Sequence, residues 1–264
     1  MANTGGLLIN CGLKFESGYS VTMRYHHVDV FTHARVFDLD GELDFAGHPV
    51  LGAACVPHEL HSEQNESRWT IRLAARTVSV RTRRGPDSFT AMLEQGAAEF
   101  AGEPAGVSRA ELASWFALAE TDLDPVLPPE VVSTGLRYLI RPVRSGVLGR
   151  ARISVSDLDT RLAGLGAQFV YLVDVTGLEG RHWNNDGLLE DVATGSAAGC
   201  VAAYLRRHER LGDGATAILR QGRFLGRASE ITIRAHGSGT NVLSVVVGGD
   251  VVLVGTGTLL RLPR

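Results

Sequence analysis

Two short runs of small residues, one in each half of the chain, constrain this sequence most. Ala46-Gly47-His48 and Thr194-Gly195-Ser196-Ala197-Ala198-Gly199 each open an apolar stretch, and each follows a segment carrying carboxylates. Pro49 comes directly after the first run. Proline is tolerated in the first turn of a helix, where its missing N–H would have no partner anyway. Both runs therefore read as starts of small, buried helices, the first at about 49–60 and the second within 191–207. A helix start presents unpaired N–H groups and the positive end of the helix dipole. Glycine and alanine there let a ligand approach the backbone, so two such starts facing one space would clamp a carboxylate. Tight packing of small-residue helices is the other reading of the same pattern. The shared plan of turn, helix and strands suggests two similar halves, at low identity.

The rest of the composition excludes several classes. A chain of 264 residues holds one large domain or two of about 100–150 residues. With 44% hydrophobic and 21% charged residues, it can build a core without disulfides or metals. The net charge is −3, and arginine groups such as Arg81, Arg83 and Arg84 or Arg206, Arg207 and Arg210 make no basic face, so no nucleic-acid partner is expected. Cys11, Cys55 and Cys200 form neither a disulfide framework nor a zinc signature and suit a reducing cytoplasm. The beginning of the chain lacks the basic and apolar regions of a signal peptide, and no run of about 20 apolar residues occurs. A cytoplasmic protein with no membrane partner is the expectation.

Along the chain, Tyr25 to Phe37, Trp69 to Thr82 and Phe89 to Leu93 read as strands. Ser108 to Ala119 reads as an amphipathic helix, with Ser108 and Glu111 spaced as a capping box. Thr121 to Pro129 holds three of the nine prolines and is the linker candidate. Leu136 to Val143 and Gln168 to Val175 follow as strands, Val155 to Leu165 as a helix, and Ala217 to Leu262 as strands split by glycine turns. The fold class is α+β.

Asp191, just before the second run, is either a helix cap or an acceptor for a substrate amino or hydroxyl group. His48 is either a buried histidine bonded to backbone or a proton-relay or positioning group. The histidines at 26, 27, 33, 58 and 61 match no ligand signature, so no metal is expected. Gly255-Thr256-Gly257 lacks the helix that a dinucleotide site needs after it.

With their flanks, the two runs resemble signatures of the PhzF-like (phenazine biosynthesis F) family. Glu42-Leu43-Asp44-Phe45-Ala46-Gly47-His48-Pro49 is similar to its "ELPFAGHP", and Glu190-Asp191-Val192-Ala193-Thr194-Gly195-Ser196-Ala197 to its "EDPATGSA"; aspartate and valine replace the prolines. The resemblance covers about residues 34–262 and includes Gln221-Gly222-Arg223. It implies the diaminopimelate-epimerase fold: two pseudo-symmetric domains, each a curved mixed sheet around a central helix, with the site between them. The halves would be 1–120, shortened or rebuilt at its start, and 130–264, whose last strand could return to the first half.

The resemblance also implies an activity. The epimerase branch places a cysteine at each helix-start turn, whereas this chain has Gly47-His48 and Gly195-Ser196 there, with Cys55 and Cys200 further along. The PhzF branch is a cofactor-independent isomerase, in which a glutamate of an "NLSE-S/T" motif relocates a proton on a small conjugated amino acid in secondary metabolism. The nearest match to that motif is Leu13 to Tyr19, making Glu16 the candidate acid–base and Glu42 the reserve. Gly47, Gly195 and Ser196 would bind the substrate carboxylate, and His48 and Asp191 would hold and polarise its amine or hydroxyl end. A homodimer is implied too. Two rivals stay open: an epimerase or racemase with non-thiol bases, and a ligand-binding homologue without catalysis.

Overall fold

The structure is a computed structural model that describes residues 6–9, 20–25, 31–37, 42–43, 47–74, 76–238 and 241–255. The first strands are β1 (Gly6–Ile9), β2 (Ser20–Tyr25), β3 (Phe31–Phe37) and the short β4 (Glu42–Leu43), followed by helix α1 (Gly47–His61). Then come β5 (Glu66–Arg72), β6 (Thr77–Arg84), β7 (Phe89–Gly96), β8 (Glu99–Gly102) and α2 (Arg109–Ser114). The remainder is β9 (Glu130–Ser133), β10 (Arg137–Val143), α3 (Leu158–Gly164), β11 (Phe169–Asp174), β12 (Glu179–Arg181), α4 (Gly195–Arg207), β13 (Thr216–Gln221), β14 (Ser229–Ser238) and β15 (Asn241–Val251).

The strands form one mixed sheet in the order β1-β2-β3-β5-β6-β7-β15-β14-β13-β12-β11-β10-β9-β8, with β4 on β3. Most neighbours are antiparallel; β3 with β5, β10 with β11 and β12 with β13 are parallel. β15 lies between β14 and β7 and joins the two parts of the sheet.

The sheet bends around two helices. α1 touches β2, β3, β5, β6, β7 and β15, which are consecutive in the sheet. Six flat strands at about 4.8 Å spacing would span about 24 Å, roughly twice a helix diameter, so all six reach α1 only if the sheet curls around it. α4 touches β15 and β14 on one side and β10 and β9 on the other. A helix enclosed in this way must be apolar all round and narrow. That accounts for Ala53 and Ala54 in α1, and for Ala197, Ala198, Ala202 and Ala203 in α4, all buried. Around α1 the core holds Val50, Ile71, Val80, Ala91 and Leu93; around α4 it holds Val201, Ile233, Val245 and Val247. A third cluster, with Leu112, Phe116, Leu139 and Leu172, packs α2 against the other face of β10 and β11.

Several expected elements differ at their ends. The helix expected over Ser108 to Ala119 stops at Ser114, because Trp115 and Phe116 turn into the core and Ala117 takes φ 54°. Ser108 is its N-cap and accepts the Glu111 N–H. The linker candidate is tied down: Leu123 bridges to Val143, and Asp124 accepts the Val126 and Leu127 N–H groups, both at 2.9 Å. His58 is a satisfied core histidine, with Thr82 Oγ1 at 2.7 Å and the Gln64 carbonyl at 2.9 Å. Among the described residues, no helix is long and apolar enough to cross a membrane.

Candidate active site

The starts of α1 and α4 meet through their glycines. A Cβ built on Gly47 would lie 3.4 Å from the Gly195 Cα, and one on Gly195 would lie 3.6 Å from the Gly47 Cα and 3.8 Å from the His48 nitrogen. Neither helix has an acidic residue in its first turn, and the Thr194 side chain makes no capping bond to α4. Two positive dipole ends thus stand side by side without a carboxylate from their own first turns. Gln95 of β7 holds the start of α4 to Thr134: its amide donates to the Gly195 carbonyl at 3.1 Å and accepts from Thr134 at 2.7 Å. A Cβ on Gly199 would fall 1.9 Å from the Gln95 Oε1, so only glycine leaves room for this crossing.

His48 and Asp191 flank the paired starts. Burial pushes the His48 imidazole below its ordinary pKa, while the Asp191 charge pulls it up. Asp191 leads into α4 through a fixed turn. Its Oδ2 accepts from the Thr194 hydroxyl at 2.8 Å and its Oδ1 from the Ala193 N–H at 3.3 Å. Its own N–H donates to the His182 carbonyl at 3.0 Å. The preceding residue, Glu190, forms a buried ion pair with Arg181, whose guanidinium also donates to the carbonyls of Leu148 and Ala151. Ser196 completes the group, its Oγ 2.9 Å from the Tyr138 hydroxyl. The structure therefore brings Gly47, His48, Asp191, Gly195 and Ser196 into one locality.

Glu16 lies outside the described residues. Glu42 is bound by Arg35, whose hydrogen bond holds its carboxyl below the usual range. Both described cysteines are buried, and burial pushes the Cys200 thiol up to about 12. Among the described residues, no group of three or more His, Cys, Asp or Glu side chains is placed to hold a metal ion.

Several residues around the site escape sequence reasoning. Gln95 and Tyr138 carry no motif. Gln221 lies in a segment with a family resemblance but no assigned role. His182 is buried, donates from Nδ1 to the Val170 carbonyl at 2.9 Å, and has its ring edge-on to Tyr138 at 5.6 Å. Burial lowers its pKa, opposed by the Val170 carbonyl and the Asp191 charge.

The phenazine biosynthesis-like protein family (PhzC-PhzF) matches residues 23–257. The chain belongs to this family. It is 31% identical over 226 residues to the trans-2,3-dihydro-3-hydroxyanthranilate isomerase of Pseudomonas aeruginosa, covering 82% of this chain and 74% of that protein. A solved structure described as a predicted epimerase of Pseudomonas aeruginosa is 46% identical and superposes with a TM-score of 0.83, covering 92% of this chain and 84% of that one. A probable proline racemase of Agrobacterium radiobacter, 12% identical, shares the fold at a TM-score of 0.57 over 90% of this chain and 74% of that one. Within the family, the chain is an isomerase.

Proposed function

We propose that the chain moves a proton, and with it a double bond, on a small conjugated amino acid, without an added cofactor. The observation that carries this reading is the contact between the starts of α1 and α4 through Gly47 and Gly195, beside His48 and Asp191. Two helix starts with no acidic residue in their first turns favour an anion, and a substrate carboxylate against the amides of Gly47, Gly195 and Ser196 supplies one. Asp191 accepts from the substrate's amine or hydroxyl, and His48 positions that end. The related isomerase is named for a substrate with this set of groups: a carboxylate, an amine, a hydroxyl and conjugated double bonds.

Glu16 is the acid–base in this reading. It takes a proton from one carbon, the electron pair spreads into the conjugated system, and the proton returns at another carbon, so no redox partner is required. A carboxyl whose pKa is raised by burial can serve both halves. The test is incubation with trans-2,3-dihydro-3-hydroxyanthranilate in D2O. Movement of the double bonds, seen by NMR and ultraviolet absorption, is the expected result. An unchanged compound overturns the reading. The 46% identity to an epimerase-type protein favours a second reading. Its signature in the same experiment is exchange at one stereocentre with the double bonds fixed.

A further inference from the structure

Gln221, at the end of β13, is 1% exposed and bonds through both atoms of its amide. Its Oε1 accepts from the Thr194 N–H at 3.1 Å and from the Tyr171 hydroxyl at 3.0 Å. Its Nε2 donates to the Asp191 carbonyl at 2.8 Å and to the Thr194 hydroxyl oxygen at 2.9 Å. The orientation of this amide is not free. A backbone N–H only donates, so the atom facing Thr194 N is the oxygen; a backbone carbonyl only accepts, so the atom facing Asp191 O is the nitrogen. Thr194 Oγ1 then receives one proton from Gln221, which leaves its own for Asp191 Oδ2, 2.8 Å away. Burial, reinforced by the Asp191 charge, raises the Tyr171 phenol well above its usual range, so it stays a donor at the head of the chain. Gly222 keeps β13 close enough for these bonds: with φ 81°, a Cβ there would lie 2.8 Å from the Val192 carbonyl oxygen.

We propose that Gln221 is a positioning residue of this site: it fixes the direction of a hydrogen-bond chain from Tyr171 through Gln221 and Thr194 that holds Asp191 as a hydrogen-bond acceptor beside the paired helix starts. Every donor in the chain points toward the carboxylate, which orients Asp191 and leaves its remaining lone pairs for the substrate's amine or hydroxyl. This inference rests on the reading of Asp191 as the substrate's anchor.

Thr194 gives the test, because it is buried and valine has its shape without its proton. Turnover of trans-2,3-dihydro-3-hydroxyanthranilate and thermal melting are compared in wild type, Thr194→Val, Thr194→Ser and Asp191→Asn. Thr194→Val should stay folded yet lose about 10- to 100-fold in kcat/KM, the scale of one hydrogen bond to a charged group. Thr194→Ser restores the donor and should recover most turnover, although it loses a buried methyl and melts lower. Recovered turnover in a serine variant that still melts below wild type is a split that a merely structural role does not produce. Wild-type turnover in Thr194→Val beside an impaired Asp191→Asn overturns this inference alone. So does Thr194→Ser as slow as the valine variant. An inactive wild type, or a fully active Asp191→Asn, overturns the reading of the site and this inference with it.

Discussion

Arg35 grips both carboxylate oxygens of Glu42, at 2.9 and 2.6 Å. A base that takes a proton from carbon works best when its pKa lies near the working pH. The Arg35 hydrogen bond moves Glu42 the other way. Glu42→Gln should therefore keep turnover within a few-fold of wild type. Glu16→Gln, which keeps shape but cannot carry a proton, should cut kcat by about 10²–10⁴ with little change in ligand affinity. Steady-state kinetics on the dihydro-anthranilate separates the two. A dead Glu42→Gln beside an active Glu16→Gln would place the base at Glu42 in β4.

The helices at the site were legible because their constraints are local. Gly47 with Pro49, and Gly195 with the alanines after it, state both a helix start and a need for narrowness within a few residues. The apolar runs of β10 and β11 announce buried strands in the same way. What sequence could not supply is set by tertiary contact. The periodicity of Ser108 to Ala119 continues past Ser114, and only the burial of Trp115 and Phe116 ends the helix there. The prolines of Thr121 to Pro129 mark the linker candidate, but the contact that holds it, Leu123 with Val143, is tertiary. At the site, His48 and Asp191 stand in motifs, whereas Gln221, which bonds the Asp191 carbonyl, lies in a distant strand, in a segment whose family resemblance assigns it no role.

The gap between the helix starts makes a prediction for Gly195. Added methyls at Gly47 or Gly195 would meet backbone at 3.4–3.6 Å, an ordinary van der Waals distance. Alanine also favours a helix over glycine, by about 1 kcal/mol in an interior position. Gly195→Ala should thus fold with unchanged or slightly higher melting temperature. Its methyl, however, takes up space beside the amides assigned to the substrate carboxylate. Titration calorimetry with 3-hydroxyanthranilate, an aromatic analogue with the same polar groups, should show binding weakened by at least about tenfold, or ~1.4 kcal/mol. Equal affinity in the variant would move the carboxylate away from the two helix starts.

Cys200 yields a prediction about alkaline pH. Its thiol is buried in α4, with Thr134 Oγ1 at 3.8 Å and the Leu136 carbonyl at 3.7 Å. Burial raises it from an ordinary 9.0 to about 12. A group with a raised folded pKa contributes its full stability below the unfolded value and loses it as pH rises toward the folded one. Between about pH 9 and 12 the unfolded chain ionises this thiol while the folded chain keeps it protonated, so stability falls with pH. One proton corresponds to a slope of about 1.4 kcal/mol per pH unit. Buried Tyr171 and Tyr204, both raised, add to the decline at the upper end. Cys200→Ala removes one proton's share, so its stability, lower at neutral pH because of the small cavity, should fall less steeply from pH 9 to 10.5 in urea titrations. Turnover at pH 7.5 should match wild type, since a thiol this far from ionising is neither nucleophile nor base at that pH. Parallel pH curves for the two proteins would mean the thiol ionises in the folded state, and loss of turnover in a folded Cys200→Ala would return the thiol to the mechanism.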